Sequence, residues 1–161
     1  MQIVNTTLAL FVLVGTVLAQ MKWDPHLYDP DADAKAEIAS AIKLASQQHK
    51  RVLLVFGANW CPDCHALNSR FHQQPIESLV EENFVVVHVD IGEGDGRYAK
   101  NTDVAEKYEV PLKKGIPALA VLSSNGKLLY SQRNGEFNSA RSLDPQKIID
   151  FLNQWKPPSK A

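Results

Sequence analysis

Residues 51–65 read Arg-Val-Leu-Leu-Val-Phe-Gly-Ala-Asn-Trp-Cys-Pro-Asp-Cys-His, and Cys61 and Cys64 are the only cysteines of the 161-residue chain. The run Val52 to Phe56 is apolar without alternation, the pattern of a strand buried on both faces. It leads directly into two thiols separated by two residues at the start of a predicted helix. Such thiols can close a small disulfide ring and reopen it. The leading thiol lies among the unpaired backbone N–H groups of the helix N-terminus, whose partial positive charge favours the thiolate. Cys61 is therefore the expected nucleophile and Cys64 the resolving thiol.

The same residues spell Cys-x-x-Cys-His, the attachment signature of c-type haem. Covalent haem usually takes a second axial ligand, and Met1 and Met21 are the only methionines, both near the N-terminus. His49, His72 and His88 could serve instead, so the haem reading stays open on residues alone. A structural zinc site with His65 or His72 lacks a second cysteine pair. The strand running into the motif favours a strand-turn-helix dithiol unit.

The composition, 45% apolar and 22% charged, suits one globular domain with short appendages. A formal net charge of -1 provides no basic face for nucleic acid. Leu8 to Ala19 is a twelve-residue apolar run ending Val17-Leu18-Ala19, which reads as a signal peptide over 1–19 cleaved before Gln20. No Lys or Arg precedes the run, which leaves an uncleaved anchor as the alternative. Either way the domain is expected to be exported, with the periplasm the simplest address and an extracellular or membrane-anchored location the alternatives.

Residues 20–32 are rich in Asp and Pro and read as an extended lead-in, clamped to the domain by Trp23 and Tyr28. The spacing of Ala34, Ile38, Ala41, Ile42 and Ala45 predicts a helix from Asp33 to about His49. A strand over Arg51 to Phe56 and a redox helix from Cys61 to about Gln74, stopped by Pro75, come next. Ile76 to Glu82 predicts a short helix. Phe84 to Asp90 is β-branched and continuous, so a second central strand is expected. The Gly-rich segment from Ile91 to Asn101 has oxygen ligands but not the twelve-residue calcium spacing, and is read as a solvated loop. A short helix capped by Thr102 should turn Ala105 and Tyr108 inward. Ala118 to Leu122 and Lys127 to Gln132, joined through Asn125-Gly126, predict an antiparallel hairpin. Asp144-Pro145 opens a last helix with Ile148, Leu152 and Trp155 on one face, ended by Pro157-Pro158.

This order resembles the thioredoxin fold, an α/β fold with a central mixed β-sheet and helices on both faces. The resemblance covers Asp33 to about Trp155, within a thioredoxin-like domain over 33–156 followed by a tail over 157–161. It rests on Trp60-Cys61-x-x-Cys64 and on Gly115-Ile116-Pro117, which stands where that family keeps a cis-proline facing the disulfide. The resemblance implies that Pro117 is cis and that the backbone of Ile116 pairs with an extended substrate beside Cys61. More narrowly, Val110 to Pro117 and Arg133 to Glu136 are similar to exported thioredoxin-like disulfide reductases or isomerases.

Two family positions differ. The buried aspartate six residues before the first cysteine is Val55 here, and its lysine partner is Val86. The resemblance therefore does not carry over a carboxylate proton relay for Cys64, and water or a side chain such as His65 would take the proton. His65 lies at i+4 from Cys61, where an imidazolium would stabilise the thiolate; the alternative is a partly exposed histidine without a role. Asp63 should disfavour the Cys61 thiolate and make the disulfide less oxidising, or else simply complement the helix N-terminus. Trp60 and Pro62 are expected to form substrate surface, with Gly135 approaching from the segment after the hairpin. Lys113 and Lys114 read as a solvated face.

The expected activity is thiol–disulfide exchange with cysteine-containing exported proteins, the reductase direction favoured and isomerase or oxidase the alternative. No dinucleotide or flavin fingerprint is present, so no cofactor is expected beyond the redox-active disulfide. Electrons would pass to or from a membrane or periplasmic protein dithiol. Nothing encodes an obvious dimer helix, so a monomer is expected.

Overall fold

The computed structural model describes residues 23–92 and 99–158. The expected signal segment 1–19, the first residues of the lead-in, the middle of the Gly-rich loop and the last three residues of the tail lie outside them.

Helix α1 spans Ala34–Gln48. Its N-cap Asp33 accepts hydrogen bonds from the N–H groups of Lys35 and Ala36 at 3.0 and 3.1 Å, and His49 closes it in the left-handed conformation. Strand β1, Arg51–Gly57, follows at once. Its side chains alternate between two cores: Val52, Leu54 and Phe56 pack with α1, whereas Leu53 and Val55 face the opposite layer. Helix α2, Pro62–Phe71, and helix α3, Ile76–Asn83, lie on that second side, joined through a cis Gln74–Pro75 bond. Strand β2, Phe84–Asp90, helix α4, Thr102–Lys107, and a 3-10 turn, Leu112–Lys114, come next. The hairpin of β3, Ala118–Leu122, and β4, Leu128–Ser131, precedes helix α5, Pro145–Trp155.

The sheet order is β2-β1-β3-β4, with β2 parallel to β1 and both remaining pairings antiparallel. Helices α1 and α4 cover one face, and α2, α3 and α5 the other. Asp144 caps α5 through the Gln146 N–H, with Pro145 at the first turn. At the other end of α5, the Arg51 guanidinium donates to the Trp155 carbonyl at 2.7 Å. This places a cation on the carbonyl end of the helix and ties the last helix to the start of β1.

Several expectations are corrected. Among the described residues strand β2 is at the edge of the sheet, where a central strand was expected. Its continuous β-branched run reports helices on both faces, with Val85 against one core and Val86 against the other, not a strand on both sides. Helix α2 stops three residues before the expected Gln74, because the His72 and Gln73 N–H groups turn back to Ser69 and Arg70 and the residue before a proline avoids helical backbone. Asn101, not Thr102, occupies the cap position of α4; it has a positive φ, and its side-chain amide donates to the Asp90 carbonyl at 2.7 Å. The described lead-in, residues 23–32, is neither helix nor strand, but it is not extended either. Asp24 and Asp29 accept from the N–H groups of His26 and Asp31 two residues on, folding it into turns.

Candidate active site

Strand β1 delivers the chain to the N-terminus of α2 through the short link from Ala58 to Trp60. Cys61 is the N-cap of α2 and Pro62 its first residue. The Cys61 Sγ accepts from the Cys64 N–H at 3.2 Å, in the place where a serine or aspartate oxygen would cap. The two cysteines are joined as a disulfide, their Cα atoms 5.3 Å apart. Both cysteines are buried, and the little surface that remains, 4% against 1%, is larger at Cys61 than at Cys64. The helix N-terminus therefore supports negative charge on the cysteine that an incoming sulfur reaches first.

Opposite, the Ile116–Pro117 bond is cis, and the Ile116 carbonyl lies 3.9 Å from the Cys61 Sγ. Two residues absent from the sequence-based expectation support this loop. Gln132, buried at the end of β4, donates to the Pro117 carbonyl at 3.3 Å. Asn138 donates to the Lys114 carbonyl at 2.8 Å. Gly135 stands beside the same turn with φ +72°, where a Cβ would fall 2.6 Å from the Asn138 amide nitrogen and 2.7 Å from the Lys114 oxygen. The structure thus sets Gly135 against the turn that leads into Ile116 and Pro117, as a packing position. Lys113 and Lys114 are exposed on that turn.

Trp60 is 40% exposed, with its indole N–H donating to the Gly92 carbonyl at 2.8 Å, and Pro62 is exposed beside it. Asp63 is not a free carboxylate between the cysteines. One oxygen accepts the Arg141 N–H at 2.9 Å and the other pairs with the Arg141 guanidinium at 3.1 Å. A balancing cation from the segment before α5 thus offsets the charge expected to oppose the Cys61 thiolate. No pattern in the sequence places Arg141 there.

His65 is fully buried, which overturns the reading of a partly exposed helix residue. Its Nε2 lies 2.7 Å from the Asn59 carbonyl and so carries the donated hydrogen, while its ring stacks on Trp23 at 3.7 Å between centroids. A haem ligand would have to face outward with that nitrogen free; here the nitrogen and one ring face are both occupied.

The lead-in contributes more than a clamp. Tyr28 has no exposed surface, and it exchanges two hydrogen bonds with the residue before Trp60: its N–H donates to the Asn59 side chain at 2.9 Å, and the Asn59 amide donates to its carbonyl at 2.7 Å. Its ring meets the edge of His88 on β2 at 5.3 Å. Burial, and after it the charge of Asp90, pushes the Tyr28 phenol above its ordinary range. Burial, then the neighbouring His72 charge, holds His88 down to about 4.

A capped dithiol facing a cis X-Pro on a mixed four-stranded sheet defines a thiol–disulfide oxidoreductase domain. Residues 33–124 match the model of the Thioredoxin-like family, and the chain belongs to that family. It is 29% identical over 129 residues to a protein named thiol:disulfide interchange protein DsbD from Pseudomonas fluorescens, covering 78% of this chain and 19% of that one. It is 24% identical over 125 residues to probable nucleoredoxin 3 of Oryza sativa subsp. japonica, covering 62% of this chain and 26% of that one. The chain therefore spans about a quarter or less of the length of these curated relatives. Among solved structures, the disulphide isomerase from Xylella fastidiosa Temecula1 is 37% identical, with a TM-score of 0.72 over 80% of this chain and 95% of the other. The oxidised C-terminal domain of DsbD from Neisseria meningitidis shares the fold at 20% identity, with a TM-score of 0.55 over 78% and 97%.

Proposed function

We propose that this chain is an exported protein-disulfide reductase that takes its electrons from another protein dithiol. The observation that carries the reading is the position of the pair: both sulfurs are buried, with Cys61 capping the helix beside the Ile116 carbonyl and keeping 4% of its surface against 1% for Cys64 behind it. In the reductive direction the Cys61 thiolate attacks a substrate disulfide, forms a mixed disulfide, and releases one substrate sulfur, which takes up a proton. The Cys64 thiolate then attacks the Cys61 sulfur, the second substrate thiol leaves and is protonated, and two electrons have passed to the substrate. A second protein dithiol restores the Cys61–Cys64 pair to its reduced form.

The Ile116 backbone, the exposed Trp60 and Pro62 form the surface on which an extended substrate would lie. The apolar run Leu8 to Ala19 supports export, and the similarity to a protein named as a disulfide interchange protein supports a thiol-based partner. Among the described residues no helix is long and apolar enough to cross a membrane.

The 37% identity to a protein described as a disulphide isomerase favours a second reading, isomerisation of substrate disulfides by the same pair. Equilibration of the Cys61–Cys64 disulfide with glutathione buffers, followed by tryptophan fluorescence, separates the two. A potential near that of thioredoxin, about −270 mV, is expected for the reductase, and one above about −200 mV would indicate isomerase or oxidase work. Absence of a reversible two-electron transition would overturn both.

A further inference from the structure

Tyr28 enters from the lead-in and ends beneath the disulfide. Gly57, the last residue of β1, marks the place: a Cβ there would lie 2.2 Å from the Tyr28 hydroxyl oxygen and 2.8 Å from the Cys64 Sγ. Hydroxyl and sulfur therefore flank the same small gap, separated by no more than the sum of those two distances. Only a glycine leaves that gap open.

The Tyr28 hydroxyl is buried and has no hydrogen-bond partner among the described residues. A buried O–H is costly to leave unpaired, and a partner in another state of the molecule would relieve that cost. Among the described residues, Asp90 and His88 are titratable groups beside the Tyr28 side chain. The Asp90 carboxylate is engaged by the Gly92 N–H at 3.2 Å and faces the Lys100 ammonium at 3.6 Å. His88 meets the Tyr28 ring edge-on. What changes with redox state is Cys64: in the disulfide its sulfur is a poor acceptor, and on reduction it becomes a thiol or a strongly accepting thiolate. The positions of the buried aspartate and lysine of cytoplasmic thioredoxin are Val55 and Val86, so neither supplies a polar group to this sulfur.

We propose that the Tyr28 hydroxyl is the hydrogen-bond donor to the Cys64 sulfur in the reduced protein, and that it stabilises the resolving thiolate as that sulfur turns to attack Cys61. The phenol keeps its proton, since burial holds it in the protonated form. It donates a hydrogen bond and does not act as the base, and the Cys64 proton still leaves to water or to the departing substrate thiolate. The inference rests on dithiol exchange by Cys61 and Cys64 in either direction, because the same bond favours the reduced pair whether it gives or receives electrons.

Tyr28→Phe tests this with little disturbance. It removes one oxygen that has no partner in the disulfide form, and the Asn59 bonds to Tyr28 are to its backbone and survive. Two readings are taken on the full chain. In the glutathione equilibrium the substitution should shift the balance about tenfold toward the disulfide, about 30 mV more negative. In a Cys61→Ser background, thiolate absorbance against pH should show the Cys64 pKa raised by about one unit when Tyr28 becomes Phe. Tyrosine buried only for packing would move neither. An unchanged equilibrium and an unchanged Cys64 titration, with wild-type exchange intact, would overturn the proposal alone. Loss of any dithiol transition in the wild type would overturn it together with the exchange chemistry on which it rests.

Discussion

Asn59 and Tyr28, thirty-one positions apart, hold each other by a reciprocal pair of hydrogen bonds, main chain to side chain in both directions. The pair joins the segment before the first helix to the turn that presents Trp60 and Cys61. The lead-in is thus part of the redox site's foundation, with Trp23 stacked on His65 at one end and Tyr28 under Cys64 at the other.

Replacing Asn59 with Ala removes both bonds and leaves the Tyr28 N–H and carbonyl without their partner. At roughly 1 kcal/mol for each bond, unfolding stability should fall by about 2 kcal/mol. Urea denaturation measures the loss. Acrylamide quenching of Trp23, read in a variant with Trp60 and Trp155 changed to Phe, should rise in parallel. Unaltered quenching would show that the lead-in is held by something other than this pair.

Gly135→Ala should be more damaging than an exposed glycine substitution usually is. The backbone there has φ +72°, and the new Cβ would press on the Lys114 carbonyl and the Asn138 amide at 2.7 and 2.6 Å. Left-handed backbone costs a residue with a Cβ about 1–2 kcal/mol before any clash. A stability loss of about 2 kcal/mol or more is expected, with slower reduction of a model protein disulfide as the Lys113–Pro117 turn shifts. Wild-type stability and rate in this variant would remove Gly135 from any role in shaping the site.

His88 sets an acid limit on the fold. Its Nε2 is buried without a partner among the described residues, and burial depresses its folded pKa to about 4, below the usual value near 6.5. Above about pH 6.5 both folded and unfolded forms are neutral at this residue and it contributes no pH dependence. As pH falls from there toward 4 the unfolded chain takes up the proton first, so stability drops through that window and levels off below it. The residue is only half-buried overall, which brings the expected loss to about 2 kcal/mol. His88→Gln should flatten the fall in melting temperature between pH 7 and 4; an equally steep fall in the variant would assign it to other groups.

The sequence made the scaffold readable because its signals are local. Unbroken apolar runs marked β1 and β2, Asn125-Gly126 marked the hairpin, the spacing from Ala34 to Ala45 marked α1, and Asp144-Pro145 marked the start of α5. The dithiol and the proline loop were legible for the same reason, each being a short motif. What escaped depends on contacts between distant segments. Nothing near Asp63 announces Arg141, seventy-eight residues later, and nothing near Cys64 announces Tyr28. The burial of His65 was hidden for a related reason. A histidine one turn into a helix looks solvent-facing until Trp23 is known to lie across it. Position in the sheet was obscure too, since residues covered by helices on both faces read alike at an edge and at the centre.

The bond from Arg51 to the Trp155 carbonyl fixes which way the domain can be tethered. Arg51 opens β1 and Gly57 closes it against the Cys64 sulfur, so the seven-residue strand sets the two ends roughly 20 Å apart. Trp155, where α5 ends, therefore lies at the pole opposite the sulfurs. A surface or a tag attached at that pole would leave the Cys61 side pointing outward.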